Sequence, residues 1–226
     1  MSKKLISFSL WGDNPKYTIG AVRNAELALQ IYPGWICRFY IGRSVPIDIT
    51  HKLKSFSNTE VVEMDEMGDW TSMFWRFFPA SEKDVDVMIS RDTDSRLSLR
   101  EKAAVDEWLA SDKGFHIMRD HPWHGVEILG GMWGAKRGVI VDIKDRIEKF
   151  LKNDAWGVDQ SFLKTEIYPV IKENSMVHDE FFNDSTRRPF PTKRENYEFV
   201  GDVFDYEDKR DDKFWRVLES FISFKK

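Results

Sequence analysis

The strongest constraint on the fold is a regular exchange of short apolar runs and amphipathic segments over the first half of the chain. Lys4 to Leu10 is an apolar run that ends in Trp11-Gly12-Asp13-Asn14-Pro15, a turn sequence. From about Thr18, residues Ala21, Val22, Ala25, Ala28, Leu29 and Tyr32 keep helical spacing until Pro33-Gly34 stops it. Trp35 to Ile41, Thr59 to Met64 and Val85 to Ile89 read as further strands. Between them lie a short helix near Asp48 to Phe56 and an aromatic helix or turn over Thr71 to Phe78, closed by Pro79. Ser98 with Glu101 three residues later predicts a capping box, and Val105, Trp108 and Leu109 the core stripe of the helix that follows. Strands alternating with helices predict an α/β protein with a mostly parallel sheet flanked by helices.

The second half is less regular. Phe115 to Met118 and Ser175 to His178 read as strands, and Ile128 to Ala135 as a Gly-rich extended segment under the sheet's edge. Helices are predicted around Ile143, Ile147, Phe150 and Leu151, around Val158, Phe162 and Leu163, and at the end around Phe214, Leu218, Phe221 and Ile222. Asp179 to Asp208 is irregular. No stretch rich in Pro, Gly or Ser splits the chain, so one domain over residues 1–226 is expected.

Composition narrows the function. A net charge of -4 without a dense basic run argues against electrostatic nucleic-acid binding. One cysteine excludes an internal disulfide framework and a Cys-based zinc cluster, and Cys37 reads as a small core residue. No apolar run reaches the ~20 residues of a membrane span. The apolar start is short and runs into a turn instead of a cleavage site, so a cytoplasmic protein is expected. The aromatic content of 14%, with 9 Trp, exceeds what a core of this size needs.

Asp92-Thr93-Asp94 carries the main chemical signal, because it follows the buried strand Val85 to Ile89. In open α/β sheets ligands bind beyond the carboxyl ends of strands. Two carboxylates one residue apart on a turn offer hard oxygen ligands to Mg²⁺ or Mn²⁺. A metal there neutralises a departing diphosphate as a Lewis acid. On spacing alone the pair is as readily a solvated turn; the strand before it favours the metal.

At these residues the chain resembles the nucleotide-sugar-dependent glycosyltransferases of the GT-A fold, in particular small stand-alone members from bacteria and large DNA viruses. The likeness spans about Lys4 to Asp179 and rests on the order of its segments: Met73-Phe74-Trp75-Arg76-Phe77, the buried strand, Asp92-Thr93-Asp94, then Gly130-Gly131-Met132-Trp133-Gly134 and Asp159-Gln160. The resemblance implies a Rossmann-like sheet and a Mn²⁺ (or Mg²⁺) cofactor, with residues 1–96 as the nucleotide-binding half and 97–226 as the acceptor-side half. It implies a nucleotide-diphosphate sugar donor and a glycan or glycoprotein acceptor. Ser9, Trp11, Asn14 and Tyr17 would then hold the nucleoside and Arg76 the phosphates. Asp94 would hold the metal, Asp92 the metal or the ribose. Gly130, Gly131 and Gln160 would lie at the donor sugar, Asp159 or Asp120 would serve the reaction, and His178 would be a third metal ligand. On its own His178 reads more readily as a structural histidine than as a ligand, and His121 and His124 beside Asp120 as a polar loop. Two other activities stay open: a sugar-nucleotide nucleotidyltransferase and a catalytically silent carbohydrate-binding or adaptor protein. Under the transferase reading Trp11, Trp75, Trp123 and Trp133 belong to the pocket and Trp35, Trp108 and Trp215 to the core, with Trp70 and Trp156 unassigned.

Overall fold

A computed structural model describes residues 2–152, 159–182 and 187–224. Trp156 and Val158 lie outside the described residues. Eight strands make one sheet: β1 (Lys4–Leu10), β2 (Ile36–Ile41), β3 (Thr59–Glu63), β4 (Val87–Ser90), β5 (Phe115–Arg119), β6 (Trp133–Lys136), β7 (Ser175–Asp179) and β8 (Arg187–Arg188). Their spatial order is β3-β2-β1-β4-β6-β5-β7-β8. β6 runs antiparallel to both its neighbours and the remaining pairs are parallel.

Both faces of the sheet are covered, which is why the early strands are nearly continuous apolar runs. Side chains alternate between the faces. Ile6, Phe8 and Leu10 of β1 pack with Ala21, Ala25, Leu53 and Trp108, contributed by helices α1 (Pro15–Ile31), α2 (Ile47–Lys54) and α3 (Leu99–Leu109). Leu5 points the other way, to Phe74 and Phe77 of a 3-10 helix (Trp70–Ser81), to Ile143 and Ile147 of α4 (Ile143–Lys152), and to Phe162. Phe162 ends α5 (Asp159–Phe162), which continues through a π turn (Leu163–Ile167) into α6 (Tyr168–Ile171). A last helix, α7 (Asp212–Ser223), packs by Phe214 against Trp123 and His121.

The segment Ile128 to Ala135 departs from its expected place under the edge. Its second half forms β6, inserted between β4 and β5 at the centre of the sheet. Gly134 is the reason: a Cβ there would meet the Met88 carbonyl and the Ile89 side chain at 2.9 Å. The strand that fits this slot is Trp-Gly-Ala-Lys, without the β-branched signature of a strand. The capping box at α3 is half made. Ser98 Oγ accepts from Glu101 N at 3.1 Å, but the Glu101 carboxylate turns inward to Arg91 Nε at 2.9 Å and Tyr32 Oη at 2.7 Å. Among the described residues no helix is long and apolar enough to cross a membrane.

Candidate active site

Strand register assembles the site. β1 and β4 run side by side with Ser7 level with Ser90, so Ser9 and Asp92 lie at the same height where both strands end. β6 runs the other way, with Trp133 level with Ser90, so Gly130 and Gly131 enter at that same end. A cavity of about 820 Å³ opens there, within the usual range for small-molecule sites. Of the residues expected at the site, Ser9, Trp11, Asn14, Tyr17, Arg76, Asp92, Asp94, Gly130, Gly131, Asp159 and Gln160 line it.

The acidic turn is held from every side. Arg91, buried against Glu101, donates to the carbonyls of Ser90 and Trp133 at 2.6 and 3.2 Å. Asn24, in the buried face of α1, donates to Ser95 O at 2.8 Å and accepts from Leu97 N at 3.0 Å. Phe204 N donates to Asp94 O at 2.9 Å. Gly20 lets α1 lie directly on the turn, since a Cβ there would stand 2.0 Å from Thr93 O. A turn so clamped presents its carboxylates in a fixed direction.

Arg76 is the centre of the charge network. Its backbone N donates to Ser9 Oγ at 2.9 Å, which ties the end of β1 to the 3-10 helix. Its guanidinium spans two carboxylates, Asp92 Oδ1 at 2.6 Å and Asp159 Oδ2 at 2.5 Å. Burial opposes its charge, but Asp92 and Asp159 outweigh that and hold its pKa above the ordinary arginine value. Asp159 titrates above the usual carboxylate range because it is buried and faces Asp92, with Arg76 pulling it back. Asp94 is likewise pushed up, by burial and then by Asp92, against the pull of Lys16. Lys16 Nζ stands 2.8 Å from Asp94 Oδ2. The two glycines make room for this network: a Cβ on Gly130 would lie 1.9 Å from Asp159 Oδ2, and one on Gly131 2.0 Å from Asp92 Oδ2.

Two expected residues are elsewhere. Asp120 is fully buried and does not line the cavity. Arg100 grips it at 2.8 and 2.9 Å, and Arg194 Nη2 and Val200 N donate to it at 2.5 and 2.9 Å. His178 is not a ligand beside Asp92 and Asp94: its Nδ1 meets His116 Nε2 at 2.8 Å and its Nε2 meets Glu107 Oε2 at 3.3 Å, inside β5, β7 and α3. Among the described residues no group of three or more His, Cys, Asp or Glu side chains is arranged to hold a metal.

The tryptophans divide differently from expectation. Trp11 and Trp123 line the cavity. Trp133 is fully buried, stacked on Phe115 with ring centroids 5.2 Å apart, and Trp75 is buried beside a separate recess near Asp69. Trp35 and Trp108 are in the core, and Trp215 is half-buried, edge-on to Tyr197.

Asn24 and Lys16 support the site without having been expected there, and His124, expected in a polar loop, belongs to it. Asn24 is a polar residue on a helix's apolar stripe, and Lys16 a cation in a helix's first turn, where the dipole opposes it; both oddities are visible in the sequence. His124 lines the cavity too. It is not part of a polar surface loop: its Nδ1 accepts from Asp120 N at 3.1 Å, and burial, then His121 and Arg194, push its pKa down to about 3. His121 is buried as well, with Nε2 on Phe214 O at 2.9 Å.

No protein-family model matches the chain. No curated protein matches it by sequence. Solved structures do match. A glycosyltransferase involved in the glycosylation of the major capsid of PBCV-1 superposes with a TM-score of 0.53 at 17% identity, over 78% of this chain and 81% of that one. A 4-diphosphocytidyl-2C-methyl-D-erythritol synthase from Anaerococcus prevotii gives 0.52 at 11% identity, over 85% and 92%. A mannosyltransferase from Pyrobaculum calidifontis, solved in complex with GDP-Man and Mn²⁺, gives 0.50 at 11% identity, over 86% of this chain and 58% of that one. At these identities the likeness is one of fold: the chain has a Rossmann-like fold of GT-A type.

Proposed function

We propose that the protein is a metal-dependent glycosyltransferase that moves a sugar from a nucleotide-diphosphate sugar to a hydroxyl of a glycan or glycoprotein. One observation carries this reading: the turn after β1, the acidic turn after β4 and the Arg76–Asp159 pair converge on one cavity at the carboxyl ends of the strands. Trp11, Asn14 and Tyr17 form the nucleoside side, with Asn14 also capping α1 through Oδ1. Gly130, Gly131 and Gln160 form the sugar side.

The residues fit a divalent ion. Asp92 and Asp94 supply hard oxygens, and their mutual repulsion calls for a cation between them. Two carboxylates are the usual protein share of a Mn²⁺ or Mg²⁺ site whose other ligands are phosphate oxygens and water. When bound there, the ion offsets charge on the departing diphosphate. The chain's own residues do the remainder. Arg76 keeps Asp92 and Asp159 in place and adds positive charge beside the phosphates. Asp159 stands at the sugar side as the candidate base. In the transfer, the bond from the anomeric carbon to the phosphate oxygen breaks, a bond to the acceptor oxygen forms, and the acceptor's proton leaves with a carboxylate or with the diphosphate.

The neighbouring synthase keeps a nucleotidyltransferase in view, although the turn Ser9 to Asn14 contains no basic side chain for a triphosphate. A thermal-shift panel of nucleotides and nucleotide sugars, with and without Mn²⁺, tests the reading. Stabilisation by a nucleotide sugar that needs Mn²⁺, followed by release of a nucleoside diphosphate, supports it. Stabilisation by a nucleoside triphosphate with release of pyrophosphate favours the second activity. Sugar binding without turnover or metal dependence favours the adaptor.

A further inference from the structure

The charges around the acidic turn differ in mobility, and that difference assigns a job to Lys16, which stands behind the cavity wall on the cavity-lining Asp94. Arg76 is a rigid fork, buried and fixed by two carboxylates. Lys16 is a point charge on a flexible four-carbon stem, with its side chain 32% exposed. It occupies the first turn of α1, a turn without an acidic residue, where the helix dipole repels a cation. What draws it there is Asp94, whose Oδ2 it contacts at 2.8 Å.

That contact and metal ligation are competitors. Both use lone pairs of the same carboxylate, and both satisfy the same negative charge. Asp92, Asp94 and Asp159 against Arg76 and Lys16 leave the inner cluster at -1. A divalent ion alone raises this by two, and a diphosphate ester with two charges lowers it by two. Both together restore -1. The ion alone therefore reverses the sign of the cluster, the diphosphate alone triples its negative charge, and the pair leaves it unchanged.

We propose that Lys16 is an exchangeable counter-ion, paired with Asp94 until a divalent ion claims that carboxylate and then passing to the donor's diphosphate. This rests on the metal-dependent reading above. Lys16 acts by positioning charge. It restrains metal binding until the diphosphate arrives, so that metal and donor bind as a unit.

The test is a titration of the full chain with Mn²⁺, with and without inorganic pyrophosphate, for wild type, Lys16→Met and Lys16→Arg. Losing a partly exposed ion pair changes an equilibrium by up to about five-fold. Lys16→Met should bind Mn²⁺ alone up to about five-fold more tightly, and Mn²⁺-pyrophosphate more weakly by a similar factor. Lys16→Arg, which keeps the charge, should stay near wild type in both. Lys16→Gln repeats the measurement if the Met variant does not fold. Equal Mn²⁺ affinity in wild type and Lys16→Met, with binding intact, would overturn the role of Lys16 and leave the metal site standing. No Mn²⁺ binding to any variant, with or without pyrophosphate, would remove the metal reading and the counter-ion with it.

Discussion

Two clusters of aspartate and arginine lie at the same end of the sheet, and they use the same chemistry for opposite ends. In the first, Asp92 follows β4 and meets Arg76, with Asp94 and Asp159 beside it. In the second, Asp120 follows β5 and meets Arg100 and Arg194. β4 and β5 run in the same direction, since both are antiparallel to β6 between them. The two acidic positions are therefore equivalent in the logic of the sheet. The cover is different. Thr192, Arg194 and Val200, from the irregular stretch before α7, close over Asp120 and Arg100 and leave Asp120 fully buried. Among the described residues Asp92 keeps 43% of its side chain exposed, facing the cavity. A carboxylate after a strand marks a ligand site only where part of it stays open to a cavity, as Asp92 does despite its bond to Arg76.

The sharpest break of this comparison is a pair of variants. Asp120→Asn removes the carboxylate that Arg100 and Arg194 share and leaves them Glu180, and breaking such a buried pair costs up to about 3–5 kcal/mol. A fall in Tm of about 10 °C is expected for a chain of this size. Asp94→Asn removes a carboxylate that burial and Asp92 already disfavour. Its Tm should move by no more than about 2 °C, because a part-exposed pair contributes at most about 1 kcal/mol. Its Mn²⁺-dependent nucleotide binding should fall about 100-fold or more, beyond the 10–100-fold typical of losing a supporting residue. Equal losses of Tm in the two would erase the distinction. Unchanged nucleotide binding in Asp94→Asn would sink the metal assignment.

The tryptophans repeat the contrast at similar cost. Trp133→Ala empties a fully buried site stacked on Phe115 and should destabilise by about 3–5 kcal/mol. Trp123→Ala alters a ring that is 46% exposed on the cavity rim, so Tm should hold within about 2 °C. If Trp123 serves the sugar, that variant weakens acceptor or donor binding instead.

These cases show how far the sequence could be read. The strand–helix exchange of the first half follows from local patterns, because β1, β2 and β4 are buried on both faces and the helices between them carry an apolar stripe. The cavity residues were legible for the same reason: a run ending in a turn points at the carboxyl end of a parallel sheet. Asp120 and His178 were not legible. Their partners, Arg194, Val200, His116 and Glu107, come from 62 to 80 residues away, and no local period records them. Trp133 was misassigned because Gly130 and Gly131 pointed the whole segment at the ligand. Two residues later the chain has already entered the sheet.

A smaller effect tests the glycines. Gly130→Ala puts a methyl where Asp159 Oδ2 and Arg76 Nη2 now stand, 1.9 and 2.5 Å from the new carbon. The pair must shift by about an ångström, and a displacement of that size costs up to about 100-fold in turnover. Overpacking should cost about 1–3 kcal/mol of stability. Turnover falling far more than stability would confirm that the position serves the Arg76–Asp159 pair. Stability falling without a change in turnover would make Gly130 a packing residue, like Gly134 in β6.

At pH 7 the effect is smallest where the two clusters meet, at His124, and it grows only as the pH falls. Its ring lines the cavity, and its Nδ1 accepts the Asp120 backbone N–H. Its pKa is pushed down to about 3, so the folded protein keeps this ring neutral where the unfolded chain, near 6.5, protonates it. Between those values the unfolded state binds more protons. Stability is therefore full above about pH 6.5 and declines as the pH falls, by up to about 1.4 kcal/mol per unit for this ring. His116, His121 and His178 are also shifted down by burial and add to the same acid loss. Asp202, pushed up to about 6 by burial, acts with the opposite sign: the folded state holds its proton more firmly, which favours folding as the pH falls below 6. The informative quantity is hence the difference between variants. His124→Gln should flatten the decline of Tm between pH 6.5 and 4 relative to wild type. An unchanged slope would mean that the ring is protonated in the folded protein, as a residue of the open cavity instead of its buried neighbour.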